Sequence, residues 1–356
     1  MKFLHMADMH FDAPFVNLAE KGDEAKKRRM EQRKAMKDVV TYIKNNNIPY
    51  LFIAGDLYEQ EYVKKTTIEY INNLFKEIPN TYIFITPGNH DPYLNNSFYK
   101  QFNWNNNVHI FTSELEIIET EEADIYGYGF NNFYMNSKYE NIDIKNPNKV
   151  NILIAHGSLD SSVEGLQYNP ISSKKLKESG FDYVALGHIH KASYNDYENQ
   201  KIVYPGSTVS LGFDELGIRG VIVAEVTKTK RNIQFLGIKT KGFEEEEVNI
   251  SEINSTEELI ELINDIDTHN NFYKVILVGK RHFNIDTGEI LRLIDNENIV
   301  KIKNHTTIKY DIEDIANQIS LKGLFAKKIL DKMENAKEEE KQKLLDAFEI
   351  GMDILK

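Results

Sequence analysis

The sequence contains no cysteine among its 356 residues. This absence excludes a disulfide framework and a thiolate metal site, so any metal must be held by carboxylate, amide or imidazole groups. Long apolar runs are also missing, because no segment approaches the roughly 20 apolar residues of a membrane-spanning helix. Asp8 interrupts the N-terminal segment too early for a signal peptide. We therefore expect a cytoplasmic protein with no membrane segment.

An excess of positive charge is absent as well. The formal net charge is −12, and most of the acidic excess lies after residue 241. An acidic chain has no long-range attraction for nucleic acid, so a DNA substrate would need local basic groups, bound metal or a partner protein. The densest basic run, residues 26–34, includes Arg28 and Arg29. It is either a solvated helix face or a surface whose arginines contact DNA phosphates.

The first half of the chain alternates short apolar runs with helix-like stretches. Apolar runs without polar alternation are typical of strands buried on both faces, and strand–helix alternation predicts a layered α/β domain over residues 1–240. The five predicted strands cover residues 3–7, 50–54, 82–86, 151–155 and 183–186. Residues 201–204, 220–226 and 232–238 indicate further strands, which could form a second sheet.

The pattern changes after residue 240. Residues 241–315 combine predicted strands with two predicted helices, one of which starts at the capping-box pair Ser255 and Glu258. This pattern predicts a small α+β domain. Residues 316–356 indicate two amphipathic helices separated by a charged stretch. Such a pair at the end of a domain is either a cap on that domain or an arm that docks on a partner.

Each of the five predicted strands is followed by residue types that bind metals. These residues are Asp8 and His10, then Asp56, then Asn89, His90 and Asp91, then His156, and finally His188 and His190. Functional sites of open α/β folds form at the carboxyl ends of the strands, so we expect all five segments to meet at one edge of one sheet. Alternate residues of an extended segment share a side. The pairs Asp8/His10 and His188/His190 are therefore each predicted to grip one metal.

These motifs resemble those of the calcineurin-like metallophosphoesterase superfamily over about residues 1–240: D-x-H, G-D, G-N-H-D, H and G-H-x-H. Within it, residues 7–15 (ADMHFDAPF) and 204–207 (YPGS) are similar to SbcD/YhaO-type DNA repair exonucleases. The resemblance implies a layered metallophosphoesterase β-sandwich flanked by helices, with a smaller α+β capping domain and a C-terminal helical arm.

The resemblance also implies a role for each motif residue. It assigns Asp8, His10 and His190 to a first metal, Asn89, His156 and His188 to a second, and Asp56 to both as a bridge. The two ions would share a hydroxide that attacks phosphorus. His90 would protonate the leaving oxygen or stabilise the transition state, and Asp91 would orient its ring. Manganese is the usual metal of the family, and Fe²⁺ also suits oxygen and nitrogen ligands.

The function implied by the resemblance is that of a metal-dependent DNA nuclease, a hydrolase that acts in DNA repair. Its helical arm, residues 316–356, would bind the coiled coil of an SMC-like ABC-type ATPase, and the chain would form a homodimer as the family's nucleases do. Two alternatives remain. The acidic net charge favours a phosphatase or nucleotide phosphodiesterase with the same two-metal chemistry, and a non-catalytic scaffold would use the fold only to bind a partner.

Overall fold

The computed structural model describes residues 1–18, 23–136, 142–160, 168–193, 200–334 and 336–355. The chain divides into two compact units. The first consists of Met1–Glu244 and Asn270–Phe272, and the second of Glu245–His269 and Tyr273–Lys356. The predicted division into three domains at residues 240 and 315 stays a prediction.

The first unit combines two sheets with helices. Its strands are β1 (Lys2–Met6), β2 (Tyr50–Ala54), β3 (Tyr82–Thr86), β4 (Val108–Ile110), β5 (Glu116–Glu119), β6 (Ala123–Gly127), β7 (Val150–His156), β8 (Tyr183–Gly187), β9 (Ile202–Val203), β10 (Gly220–Val226) and β11 (Arg231–Gly237). Its helices are α1 (Glu24–Asn45), α2 (Lys65–Lys76), α3 (Phe98–Gln101) and α4 (Ser173–Glu178), with a 3-10 turn at Val16–Leu18.

Six strands form one sheet in the order β11-β10-β1-β2-β3-β4, and five form the other in the order β5-β6-β7-β8-β9. Strands β1 to β4 are parallel, whereas β10 pairs antiparallel with both β1 and β11. Strands β6 to β9 are also parallel to one another. The two sheets pack face to face around a shared core, which gives the β-sandwich that the family resemblance implies.

Alternate residues of a single strand serve two different cores. In β2, Leu51 and Ile53 join the core beneath α1 and α2, whereas Phe52 and Ala54 join the core between the sheets. Because both faces are buried, the strand reads as a continuous apolar run. A third core covers the outer face of the second sheet, where Leu176 of α4 packs. The unit is therefore layered as helices, sheet, sheet and helix.

The expectation of one sheet edge is wrong. Strands β1, β2 and β3 belong to the first sheet, but β7 and β8 belong to the second. Conversely, β10 and β11, which the sequence assigned to a possible second sheet, extend the first one through pairing with β1. The five carboxyl ends still meet, because the facing sheets align their strand ends at a common edge of the sandwich.

The second unit is a smaller α+β body that also carries the C-terminal helices. Its elements are β12 (Phe243–Asn249), α5 (Thr256–Asn264), β13 (Phe272–Val278), β14 (Lys280–Arg281), α6 (Thr287–Leu293), β15 (Ile299–Asn304), β16 (Thr307–Ile308), α7 (Ile312–Ala316), α8 (Leu321–Met333) and α9 (Glu338–Ile354). Strands β12 and β13 each begin with residues of the first unit. Helices α5 and α6 share a core with β13 and β15. Helices α8 and α9 pack through Ile329 and Phe348. Within the described residues, no helix has the length and apolar character that crossing a membrane requires.

Candidate metal centre

The structure brings the predicted metal-ligand residues together in overlapping groups whose ligand atoms lie within 4.8 Å of one another. The groups are Asp8, His10 and His190; Asp56, His156 and His188; and His10, Asp56 and His90. The residues follow or end β1, β2, β3, β7 and β8, so loops from both sheets contribute. All except His90, His188 and His190 are buried.

Asp56 and Asn89 place oxygen atoms between the histidines. The Asp56 Oδ2 lies 3.2 Å from His156 Nε2 and 3.7 Å from His10 Nε2, which belong to different groups. The Asn89 Oδ1 lies 3.0 Å from His156 Nε2 and 3.1 Å from His188 Nδ1. The Nε2 atoms of His10 and His190 are 3.1 Å apart. Asp56 thus lies between the group of Asp8, His10 and His190 and the pair of His156 and His188, as a bridging carboxylate would.

Four of these residues adopt a left-handed backbone that non-glycine residues rarely occupy. The φ angles are 52° at Asp8, 48° at His10, 52° at Asp56 and 100° at His188. Each such conformation costs on the order of 1 kcal/mol or more, and strained residues of this kind cluster at functional sites. The surrounding loops stabilise them, because the Asp8 and His10 amides donate to the carbonyls of Gly55 and Asp56.

Three histidines are oriented by hydrogen bonds on the side away from the centre. His156 Nδ1 lies 2.8 Å from the Ala54 carbonyl oxygen, to which it donates. His10 Nδ1 lies 2.7 Å from Glu59 Oε1, and His190 Nδ1 lies 2.6 Å from Glu215 Oε1. A proton on Nδ1 leaves Nε2 free to point a lone pair inward. Metal-binding histidines in proteins are typically held in this way.

The charges of the cluster also fit divalent cations. Burial lowers the pKa of His156, but the charge of Asp56 outweighs this effect and raises the pKa to about 9. Burial opposes protonation of His190 in the same way, and the hydrogen bond with Glu215 raises its pKa to about 9. These imidazoles carry the positive charge that buried Asp8 and Asp56 require. A divalent cation would supply that charge, and each histidine would lose its proton on binding it.

His90 lies beside the centre, and its ring partner is Glu59. The distance from His90 Nδ1 to Glu59 Oε2 is 2.9 Å, so one carboxylate joins the His90 ring to that of His10. Burial lowers the pKa of His90, but the Glu59 hydrogen bond and the charge of Asp56 outweigh it and raise the pKa to about 9. At neutral pH the ring is therefore protonated, which is the form that a general acid needs.

Asp91 does not orient the His90 ring, and that prediction is wrong. The Asp91 carboxylate is fully buried and accepts hydrogen bonds from the Tyr99 hydroxyl and from backbone amides. The amides are those of Asp56, Leu57, Tyr58 and Gly88. The carboxylate therefore joins the loops after β2 and β3 and fixes their shape, while Glu59 fills the position beside His90.

The two alternating pairs behave differently. Asp8 and His10 share a group, as the spacing predicts, whereas His188 and His190 fall into different groups. The prediction that His188 and His190 grip the same ion is therefore wrong.

Arg28 is a buried structural residue, so its prediction as a DNA-contacting residue is wrong. Its side chain is 0% exposed. The guanidinium donates to the carbonyl oxygens of Ser210 and Lys241 and pairs with Glu31. Arg29 is partly exposed on α1, and its contact with DNA stays a prediction.

Two carboxylates that hydrogen-bond to the candidate metal ligands were not predicted from the sequence. Glu59 lies three residues after Asp56 and belongs to none of the five motif segments. Glu215 lies 25 residues after His190 with no motif around it, yet it is 3% exposed and also accepts from Ser207 Oγ at 2.6 Å. The short sequence distance between Asp56 and Glu59 could have indicated the first. Nothing local indicates the second.

A match to a known protein family shows which family this chain belongs to. The family model of the calcineurin-like phosphoesterases matches residues 1–192, which is more than half of the chain. The chain belongs to the calcineurin-like phosphoesterase family. The matched region includes all seven candidate metal residues and His90. Members of this family are phosphoesterases that use divalent metals, so the family and the histidine–aspartate groups agree.

Proteins similar to this calcineurin-like phosphoesterase include one metallophosphoesterase, matched in sequence, and two proteins of known structure. The chain is 25% identical over 275 residues to the uncharacterized metallophosphoesterase YhaO of Bacillus subtilis (strain 168), and the aligned region spans 74% of this chain and 67% of YhaO. A novel archaeal phosphodiesterase is 15% identical with a TM-score of 0.36, covering 66% of this chain and 100% of its own. TT1561 of Thermus thermophilus is 10% identical with a TM-score of 0.41, and the match covers 67% of this chain and 99% of TT1561.

Proposed function

We propose that this phosphoesterase is a metal-dependent DNA nuclease of the SbcD/YhaO type that hydrolyses phosphodiesters with two divalent ions. The observation that carries the proposal is the position of Asp56 Oδ2, within 3.7 Å of a histidine from each of the two groups. A carboxylate between two sets of nitrogen and oxygen donors suits a pair of ions that act on one phosphate. Donors without sulfur favour manganese, with Fe²⁺ as the alternative.

The residues divide the work in a simple way. The first ion would be held by Asp8, His10 and His190, the second by Asn89, His156 and His188, and both by Asp56. When bound, such ions neutralise phosphate charge and acidify water. Glu59, Glu215 and the Ala54 carbonyl keep three of the imidazoles turned toward the centre.

His90 supplies the proton. Its Nδ1 donates to Glu59, which leaves Nε2 to face the leaving oxygen of the substrate. Since the Glu59 carboxylate at 2.9 Å stabilises the protonated ring, His90 can transfer a proton to that oxygen as the phosphorus–oxygen bond breaks. A positioned general acid of this kind contributes roughly 10²- to 10⁴-fold to the rate.

The DNA substrate and the ATPase partner rest on features outside the centre. Residues 204–207 and the segment around Asp8 resemble DNA repair exonucleases. The second unit adds helices whose apolar side chains are exposed, among them Leu321, Leu324, Ile350 and Ile354. We propose that residues 316–356 use this surface to bind the coiled coil of an SMC-like ATPase. The homodimer stays a prediction.

The test is digestion of end-labelled single- and double-stranded DNA by the full chain with Mn²⁺, compared with a 5′-nucleotide and bis-p-nitrophenyl phosphate. We expect Mn²⁺-dependent shortening of DNA, and a loss of roughly 10²- to 10⁴-fold in His90→Ala with both metals retained by elemental analysis. Hydrolysis confined to the small substrates would replace the nuclease with a phosphatase or nucleotide phosphodiesterase. No Mn²⁺-dependent hydrolysis of any substrate would leave a non-catalytic scaffold.

A further inference from the structure

An open cavity of about 330 Å³ borders the candidate metal centre on the side of His90. Asn89 and His90 form part of its lining, and four aromatic rings form its wall. The rings are those of Tyr62, Phe133, Tyr134 and Tyr168. A group held in this tyrosine cavity would therefore lie next to the phosphate on which the centre acts.

The rings form a path from the surface to the centre. The centroids of Tyr134 and Tyr168 are 5.7 Å apart with an interplanar angle of 30°, and those of Tyr168 and His188 are 5.1 Å apart with an angle of 37°. Tyr134 is 59% exposed and Tyr62 is 51% exposed. Both rings are thus accessible from solvent and offer a face to a flat aromatic ligand.

The charge of the lining disfavours a second phosphate. None of the described residues that line the tyrosine cavity is a lysine or an arginine, and two of them are the carboxylates of Glu59 and Glu61. Glu59 is paired with His10 and His90, whereas Glu61 is exposed. The carboxylates of such a wall repel an anion and can accept hydrogen bonds from N–H donors. An uncharged aromatic ring with N–H donors, such as a nucleobase, fits both properties.

We propose that the tyrosine cavity is a subsite for an unpaired nucleobase of the strand whose phosphodiester is cut; this rests on the proposed nuclease function. In a duplex the faces of a base are covered by its neighbours, so the base must leave the stack before it can enter. The subsite selects single strands and frayed ends for this reason. Stacking of one base on an aromatic side chain changes affinity by roughly 5- to 160-fold.

The first test compares two single-stranded oligonucleotides that differ only by an abasic residue at the cleaved position. We expect the full chain to prefer the base-containing strand by about tenfold in kcat/KM. The preference should fall toward one in Tyr134→Ala and in Tyr62→Ala, and persist in Tyr134→Phe, which keeps the ring. Tyr82→Ala is the matched control, because Tyr82 is also 59% exposed but begins β3 at the end opposite Asn89.

A binding measurement separates this subsite from the nuclease proposal. Isothermal titration of the metal-loaded full chain with dAMP and with deoxyribose 5-phosphate should give about tenfold tighter binding of dAMP, and Tyr134→Ala should abolish the difference. Equal affinities in the parent chain, or a base preference unchanged in both Tyr134→Ala and Tyr62→Ala, would overturn the subsite. If dAMP binds more tightly but no DNA is cut, the nuclease proposal fails, whereas the tyrosine cavity is still a nucleobase site, without a cleaved strand.

Discussion

At the scale of single residues, Asp56 is the position on which the two-ion arrangement depends. Its Oδ2 lies near His156 and His10, which belong to different ligand groups. Asp56→Asn should reduce metal occupancy of both sites, because an amide oxygen carries no charge to hold two cations. His188→Ala should lower the occupancy of one site only, since His188 belongs to one group. Elemental analysis measures both, and two fully retained ions in Asp56→Asn would contradict the bridging role.

Glu59 is the residue with the widest influence, because its two oxygens contact a proposed ligand and the proposed acid. Glu59→Gln should weaken metal binding by roughly 10- to 100-fold, the usual effect of losing an outer partner of a ligand. It should also lower the pKa of His90, since Glu59 raises it. The alkaline limb of the pH–rate profile would then shift to lower pH, because a general acid is lost as pH rises through its own pKa.

Two variants make the Glu59 measurement specific. Glu215→Gln should weaken metal binding without moving the pKa of His90, because Glu215 contacts His190 and not His90. Glu69→Gln removes an exposed carboxylate of α2 and should change neither property. Metal titration and pH–rate profiles give both readouts. A pH profile of Glu59→Gln that matches the parent at saturating metal would remove Glu59 from the proton-transfer step.

The contrast between predicted and unpredicted residues has a physical basis. Asp8, Asp56 and His156 could be assigned because each follows or ends an apolar run, and the ends of packed strands converge. Glu215 is hydrogen-bonded to His190, which lies 25 residues earlier in the chain, and no local sequence pattern predicts such a pairing. Burial is equally hidden: Arg28 belongs to a basic run, yet its guanidinium satisfies backbone carbonyls inside the unit.

At the scale of elements, the turn after β2 depends on Gly55. Its φ is +89°, and a Cβ there would lie 2.3 Å from the His156 ring nitrogen Nδ1. Gly55→Ala should therefore cost more than the ~1 kcal/mol of left-handed backbone strain, displace His156, and lower metal occupancy.

Gly217→Ala is the matched control for that substitution. Gly217 has a φ of +84°, but no atom of the described residues lies within 4 Å of its added Cβ. The Gly217→Ala variant should lose only the stability that left-handed backbone strain costs, on the order of 1 kcal/mol, and it should keep its metals. Thermal unfolding and metal analysis compare the two variants. Equal losses of stability with unchanged metal content in both would show that the contact with His156 is unimportant.

The elements themselves were predictable where both faces are apolar. The first and last residues of β2 and β3 are those predicted from the sequence. Strand β6 was missed, although all five of its residues are buried, because Asp124 interrupts its apolar run. That charge is balanced by Lys149 at 3.0 Å, a partner 25 positions away. The sheet to which β10 belongs was also hidden, since it pairs with β1 from over 200 residues away.

At the scale of the whole molecule, net charge is a poor guide to the site. The chain carries −12, yet the centre collects imidazoles around two buried carboxylates and would gain four positive charges from two divalent ions. Local charge therefore opposes the overall charge at the place where a phosphodiester would bind. Because long-range steering toward DNA is lacking, a partner that brings DNA to the centre would have most effect on a chain of this kind.

The C-terminal helices provide the test of such a partner. Leu321 and Leu324 are 68% and 64% exposed on α8, so Leu321→Asp combined with Leu324→Asp should leave the fold intact while placing charge where a coiled coil would pack. We expect the variant to lose co-purification with a co-expressed SMC-like ATPase and to keep its Mn²⁺-dependent hydrolysis. Leu293→Asp, which alters a 54% exposed leucine on α6, should retain the ATPase. Retention by the α8 variant would place the docking surface elsewhere, and a parent chain that never retains the ATPase would exclude the partner itself.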